Sequence, residues 1–189
     1  MTEFLDTYFD QYRQLAFTKE VYQDIKRFRD LAAETRDKGG KMMFAGNGAS
    51  ASLSEHGAVD FTKQGRVRSI TFHDPNLITC FANDYGYDNW IAKAIEHHAK
   101  SEDAVVLISV SGVSPSVVNA AKYARSASLP VVSFTGRDAD NPLKEHSDIA
   151  LYVPSHAYNV VECIHGIWLT ATIDLLIGEA VYETRAVAI

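Results

Sequence analysis

The chain has 189 residues, of which 47% are hydrophobic and 22% are charged, and this balance predicts one compact domain with a substantial core. Its formal net charge of −6 argues against a broad nucleic-acid-binding surface. No apolar run approaches the roughly 20 residues that cross a bilayer, and the first residues lack the pattern of a secretory signal. The two cysteines, Cys80 and Cys163, have no metal-type spacing. We therefore expect a cytoplasmic protein with reduced thiols that contacts neither membrane nor nucleic acid directly.

Two amphipathic helices precede the first predicted strand. Aromatic and aliphatic residues recur at helical spacing from Phe4 to Ala16 and again from Val21 to Ala32, and Gly39-Gly40 ends the second helix. We assign residues 1–38 to this helical pair. The apolar stripes of the two helices require a partner, which is either the rest of the domain or another subunit.

A glycine turn follows the first strand. The apolar run from Met42 to Ala45 leads into Gly46-Asn47-Gly48, and a helix is predicted from about Ala49 to Phe61. This order directs backbone N–H groups and a helix N-terminus at an anion. Gly46 and Gly48 permit positive φ or a close approach to a ligand, and Ser50 and Ser52 add hydroxyl donors. The turn is therefore predicted to bind phosphate.

Two later strand ends have the same small, hydroxylated character. The strand from Ala104 ends in Ser109-Val-Ser111-Gly112-Val-Ser114, where Ser114 is a good N-cap and Pro115 a good first residue of the next helix. A further strand ends in Thr135-Gly136. Because the carboxyl ends of parallel strands share one edge of a sheet, the three turns predict a single crevice for a polar ligand.

The remaining segments alternate between strand and helix. We predict a second strand over 67–72, a short helix over 77–82, a loop over 83–88, helices over 89–99 and 116–126, and a last strand over 149–153. This alternation across residues 41–153 predicts an α/β fold. We expect a three-layer αβα sandwich around a central parallel sheet, flavodoxin-like or Rossmann-like in topology.

A long C-terminal helix is predicted over residues 156–183. It is apolar nearly all round, which favours burial on both sides and hence a subunit interface. Glu162 and His165 lie three positions apart on it and therefore share one face.

With these motifs placed, the chain resembles the sugar isomerase (SIS) domain family, and within it the phosphoheptose isomerases. The resemblance rests on the two leading helices, the terminal helix and the motifs at 46–50, 83–88, 109–114 and 135–136. It implies a single SIS domain, a homo-oligomer (a tetramer), and conversion of sedoheptulose 7-phosphate to glycero-manno-heptose 7-phosphate through an enediol.

The resemblance also implies which residues would bind the sugar phosphate. They are polar or small residues at the predicted turns: Asn47, Gly48, Ser50, Asn83, Asp84, Ser109, Ser111 and Ser114.

The implied catalytic residues depart from the family pattern. Phosphoheptose isomerases carry a His and, four residues later, a Glu after the first turn, where this chain has His56 and Asp60. On the terminal helix they carry a Gln and, eight residues later, a His, where this chain has Glu162 and Thr170. We expect Asp60 to transfer the proton, with Glu162 and His165 completing the catalytic site. The resemblance further implies that His56, Asp60, Glu162 and His165 can hold zinc.

Two other functions compete with the isomerase. A SIS protein that has lost catalysis and binds phosphosugars or a partner, like the replication-initiator-associating proteins, is favoured by Thr170 at the histidine position. The presence of His56 and of a carboxylate at position 60 favours the enzyme. A dinucleotide-binding protein is the third possibility, because residues 46–51 fit G-x-G-x-x-A and Asp74 ends the second predicted strand. That interpretation leaves the hydroxyl-rich turn at 109–114 unexplained.

Overall fold

The computed structural model describes residues 2–181. The described residues form eight α-helices and five β-strands. In chain order they are α1 (Thr2–Leu15), α2 (Glu20–Asp37), β1 (Met42–Gly46), α3 (Ala49–Lys63), β2 (Ser69–Thr71), α4 (Pro75–Tyr85), α5 (Trp90–His98), β3 (Ala104–Ser109), α6 (Pro115–Ser126), β4 (Val131–Gly136), α7 (Pro142–Glu145), β5 (Ile149–Val153) and α8 (Tyr158–Ile177).

The five strands form one parallel sheet in the order β2-β1-β3-β4-β5. A helical connection returns the chain to the same end of the sheet before each strand, which is why neighbouring strands run in the same direction. The strand order reverses between β1 and β3, so a crevice opens at the carboxyl ends of these two strands. This is the edge at which the sequence predicted the ligand site.

Alternating side chains of the central strands build a core on each face of the sheet. On one face Phe44, Ile108 and Phe134 pack with residues of α2, α3 and α8. On the other face Ala45 and Leu107 pack with residues of α5 and α6. The strands β1, β3 and β4 are buried along their whole length, as a sheet covered on both faces requires. The predicted three-layer αβα sandwich is thus confirmed.

The two N-terminal helices form as predicted, but they differ in burial. In α2, Phe28 and Ala32 are fully buried against the sheet. In α1 no residue is buried, and Phe4, Leu5 and Phe9 are 68%, 45% and 53% exposed. Tyr8, Tyr12 and Leu15 pack against the core, whereas the other described residues leave the first part of the α1 stripe uncovered.

The terminal helix α8 buries one face in the core. Its Trp168 indole donates a hydrogen bond to the Ala16 carbonyl at 2.8 Å, which ties α8 to the end of α1. Among the described helices α8 alone is long and apolar enough to span a membrane by length and composition, a test that a core helix also passes. It ends at Ile177, before Gly178 in the left-handed conformation, and so earlier than predicted. Residues 182 and 183 of the predicted helix lie outside the described residues.

Two predicted boundaries were wrong around β2. The strand β2 covers only residues 69–71, and α4 begins at Pro75 and runs to Tyr85. The Asp74 carboxylate caps α4 by accepting from the N–H groups of Asn76 and Leu77, at 2.9 and 3.2 Å. This cap starts the helix earlier than predicted and extends it through residues that were assigned to a loop.

Candidate active site

The first turn of the site lies between β1 and α3 and requires both of its glycines. A Cβ on Gly46 would lie 2.8 Å from the Ile108 carbonyl oxygen and 2.8 Å from the Ser50 Cβ, closer than real side chains approach. Gly48 has φ +59°, a conformation that side chains rarely adopt. The glycines thus allow β1, β3 and the start of α3 to meet closely, as the sequence predicted.

Asn47 connects this turn to two other elements. Its Nδ2 donates to the hydroxyls of Ser114 and Ser116, at 3.1 and 3.0 Å. Its Oδ1 accepts from the Tyr87 hydroxyl at 3.2 Å. The side chain therefore fixes the first turn against the N-terminus of α6 and against the loop after α4.

The second turn, between β3 and α6, presents hydroxyls as donors. The backbone N–H of Gly112 donates to the Ser109 Oγ at 3.3 Å, and that of Val113 donates to the Ser111 Oγ at 3.4 Å. Because each hydroxyl accepts from the backbone, its own proton stays available for a ligand. Ser114 precedes α6 but makes no side-chain capping bond to it.

These turns and the start of α8 enclose a cleft of about 160 Å³. The described residues that line it are Asn47, Ser50, Ile108, Ser109, Val110, Ser111, Ser114, Tyr158 and Glu162. None of them is Lys or Arg, so the positive potential comes from the N-termini of α3 and α6, which begin at this cleft. Five of the predicted binding residues and Glu162 thus come together.

Glu162 is the only carboxylate among the described residues that line this cleft. It follows Tyr158 by four residues on α8, so the two side chains lie on the same face of the helix. Tyr158 is 48% exposed. The sequence interpretation did not identify Tyr158 as a site residue.

Asn83 and Asp84 do not line the cleft. Both are exposed in the last turn of α4, where the Asn83 Nδ2 donates to the Asp84 carboxylate at 2.8 Å. The prediction placed them in a loop near the sugar; the earlier start and greater length of α4 place them on a helix instead. From the same predicted loop it is Tyr87 that contacts the site, through Asn47.

His56 and Asp60 also lie away from the cleft within one copy of the chain. They form a pair one helical turn apart, with the His56 Nε2 3.0 Å from the Asp60 Oδ2. Asp60 follows Ser50 by ten residues in α3, which corresponds to about 15 Å along the helix axis. Their spacing was predicted correctly, but the helix carries them away from the phosphate turn.

His165 is a core residue and not a cleft residue. It is 1% exposed, its Nε2 lies 3.0 Å from the Thr135 carbonyl oxygen, and its ring packs edge-on against Phe134 at 5.6 Å. A carbonyl only accepts, so Nε2 carries the proton. Burial lowers the pKa of His165 to about 4, which the bond to Thr135 opposes. The neutral imidazole joins α8 to the end of β4.

The four residues predicted to hold zinc are not assembled within one copy. Among residues 2–181 no group of three or more His, Cys, Asp or Glu side chains could hold a metal ion. The His165 Nε2 already donates to the backbone, and His56 and Asp60 lie on a different part of α3 from the cleft. The donor set that the described residues of one copy offer therefore does not fit zinc, and no chemical step is assigned to a metal.

A parallel sheet with a hydroxyl-lined cleft at its carboxyl edge suits a polar, anionic ligand. The family model of the SIS domain matches residues 7–136, and the chain belongs to this family. Asp74, which the dinucleotide hypothesis would use to bind a ribose, is occupied as the N-cap of α4. This cap, together with membership of the SIS family, argues against that hypothesis.

Within the family the chain is similar to phosphoheptose isomerases. It is 35% identical over 147 residues to the phosphoheptose isomerase of Roseiflexus sp., covering 75% of this chain and 74% of that protein. It is 34% identical over 177 residues to that of Solidesulfovibrio magneticus, covering 86% and 85%. The solved phosphoheptose isomerase of Neisseria gonorrhoeae superposes with a TM-score of 0.82 at 27% identity, over 93% of this chain and 97% of that one.

Proposed function

We propose that this protein is an aldose–ketose isomerase that converts sedoheptulose 7-phosphate to glycero-manno-heptose 7-phosphate in the cytoplasm. The observation that carries the proposal is the cleft itself, where the described lining residues place the hydroxyls of two glycine turns together with one carboxylate, Glu162. The similarity to phosphoheptose isomerases supports the reaction and the substrate.

The phosphate group would bind at the two turns. Ser50, Ser109, Ser111 and Ser114 supply hydroxyl donors, and the N-termini of α3 and α6 supply backbone dipoles. Hydrogen bonds to a charged group are worth about 1.5–3 kcal/mol each. A dianion can therefore be held without a lysine or an arginine.

Glu162 would be the base. It removes a proton from C1 of the ketose, the electron pair forms the C1–C2 double bond, and the C2 oxygen gains a proton to give the enediol. Return of the proton to C2, with loss of the proton from the C1 oxygen, gives the aldose. The Tyr158 hydroxyl lies on the same face of α8 and can exchange protons with the two oxygens.

Asp60, the base expected from the sequence, would take part only if a second copy brought its α3 to this cleft. The exposed apolar stripe of α1, with Phe4, Leu5 and Phe9, supports self-association. We expect a homotetramer, as the resemblance implies. Light scattering coupled to size exclusion should show it at micromolar concentration, and a monomer there would reject this part of the proposal.

The decisive experiment compares Glu162→Gln with Asp60→Asn in an assay of sedoheptulose 7-phosphate conversion, with and without added zinc. Glu162→Gln removes the base but keeps the shape and restores the amide of the resembled family. It should lower kcat by about 100-fold or more, the usual contribution of a positioned base, while phosphate still binds. Asp60→Asn is the matched control, because it removes a carboxylate that lies outside the cleft.

Three results would change the assignment. Full turnover by Glu162→Gln together with loss in Asp60→Asn would make Asp60 of a second copy the base. Dependence of the wild-type rate on zinc would mean that several copies supply a metal site. An inactive wild type under all these conditions would end the enzyme proposal in favour of a phosphosugar-binding protein. Thr170, whose hydroxyl bonds back to the Gly166 carbonyl at 3.0 Å, favours that second candidate.

A further inference from the structure

His73 lies just after β2, beside the first turn of the cleft. The register of β1 and β2 pairs Phe44 with Thr71, and its continuation brings Gly46 level with His73. The His73 Nε2 lies 3.1 Å from the Gly46 carbonyl oxygen. Its side chain is 6% exposed, and its ring packs edge-on against Trp90 at 6.2 Å. Where the backbone hydrogen bonds between β1 and β2 end, the imidazole thus supplies the next hydrogen bond to β1.

The geometry fixes the protonation of the ring. Because the Gly46 carbonyl can only accept, Nε2 carries the proton and Nδ1 holds a lone pair. None of the described residues gives the buried Nδ1 a hydrogen bond, and the Glu55 carboxylate is 3.7 Å from it. Burial lowers the pKa of His73, which Glu55 and the bond to Gly46 partly oppose. The ring is therefore a neutral, oriented donor near pH 7.

We propose that His73 is a positioning residue for phosphate binding, which it serves by orienting the Gly46–Asn47 peptide. In a trans peptide the carbonyl and the following N–H point in opposite directions. Holding the Gly46 carbonyl toward β2 turns the Asn47 N–H toward β3, and the cleft lies on that side of β1. An oriented backbone donor at a glycine turn is the kind of group that binds phosphate.

The role predicted for His73 is uniform binding, not the proton transfer itself. His73 is not among the described residues that line the cleft, so it acts only through the peptide that it holds. Loss of His73 should therefore weaken the binding of the substrate and of the transition state equally. Such a loss raises KM and leaves kcat nearly unchanged. The expected change in KM rests on the proposed isomerase function. The expected change in the Kd for inorganic phosphate does not.

The test uses three variants of the full chain. His73→Leu keeps a similar volume but removes the donor, and His73→Gln restores an N–H donor on a side chain of similar reach. Thr172→Val is the matched control, because it removes another buried side-chain donor, the Thr172 hydroxyl bonded to the Trp168 carbonyl at 2.7 Å, outside the set of cleft-lining residues. The measurements are the Kd for inorganic phosphate by calorimetry, kcat and KM for sedoheptulose 7-phosphate, and Tm.

His73→Leu should raise the phosphate Kd and the KM about tenfold and change kcat less than about threefold, as loss of uniform binding predicts. His73→Gln should recover most of the affinity, and Thr172→Val should lower Tm without changing the Kd. A wild-type Kd in His73→Leu, an equal rise in Thr172→Val, or failure of His73→Gln to recover affinity would overturn the inference. A wild type that does not bind phosphate would overturn it as well. If the wild type binds phosphate without isomerising the sugar, the proposed function fails, and the three Kd values still decide the role of His73.

Discussion

Replacing Gly112 with alanine tests the second turn of the cleft. Gly112 has φ +64°, where an alanine is strained by roughly 1–2 kcal/mol. Its new Cβ would lie 2.1 Å from the Asn141 Oδ1. That oxygen accepts the Lys144 N–H at 3.0 Å and so caps α7, and Asn141 is only 2% exposed. Displacing a cap costs about 0.5–2 kcal/mol, so the sum is about 1.5–4 kcal/mol.

Gly39 provides the matched control for the strain alone. It has φ +75°, and a Cβ there would meet nothing within 4 Å. In a chain of this size 1 kcal/mol corresponds to about 2–4 °C in Tm, so Gly112→Ala should lower Tm by about 3–16 °C and Gly39→Ala by about 2–8 °C. Thermal unfolding at one fixed protein concentration measures both.

The same substitution should also weaken phosphate binding. The Gly112 N–H orients the Ser109 hydroxyl, so a shifted turn misplaces a donor of the cleft. Gly39 lies between α2 and β1, at the opposite end of β1 from the cleft, and Gly39→Ala should bind phosphate like wild type. If the two variants show equal Tm values and equal phosphate affinity, the contact of Gly112 with Asn141 does not support the turn, and the reasoning is refuted.

Two further predictions concern single side chains. Ser111→Ala and Ser114→Ala should each weaken sugar-phosphate binding by about 1.5–3 kcal/mol in calorimetry. Ser126 is an exposed serine at the end of α6, and Ser126→Ala should leave the affinity unchanged. Wild-type affinity in both cleft variants would mean that the phosphate binds elsewhere. His165 has its folded pKa lowered to about 4, so the unfolded chain binds the extra proton first as pH falls below about 6.5. Stability should therefore fall by about 2 kcal/mol between pH 7 and pH 5. In urea unfolding His165→Gln, which keeps a donor for the Thr135 carbonyl, should lose this part of the pH dependence, and an unchanged pH slope would contradict the assignment.

The cleft could be predicted from the sequence where local backbone requirements define it. Gly46 and Gly48 mark a turn that only glycine permits, and the hydroxyl residues of the site follow strand ends within a few positions. Parallel strands then bring such ends to one edge whatever the details of packing. This is why the sequence alone assigns Ser50, Ser109 and Ser111 to one site.

The rest of the site depends on contacts that helical periodicity does not specify. Spacing shows that His56 and Asp60 share a face of α3, but not which element or which copy that face meets. Because α8 is apolar nearly all round, its sequence does not show which face of the helix points to the core. The sequence therefore could not tell that Glu162 lies in the cleft and His165 in the core. His73 was missed because its partner is a backbone carbonyl reached only through the register of β1 and β2.

The charge balance of the cleft ties phosphate binding to the assignment of Glu162 as base. With neutral donors and no lysine or arginine among the lining residues described here, only the partial charges at the N-termini of α3 and α6 offset the carboxylate when a dianion arrives. Two unit charges about 7 Å apart repel by about 2 kcal/mol at an effective dielectric constant near 20, and salt reduces this figure. Glu162→Gln should therefore bind inorganic phosphate more tightly than wild type at low salt, while it loses turnover. Calorimetry at low and high ionic strength measures the difference, which should shrink as salt is added. Weaker phosphate binding by Glu162→Gln would mean that the carboxylate orders the cleft by accepting hydrogen bonds, and the base would then have to be sought on another residue.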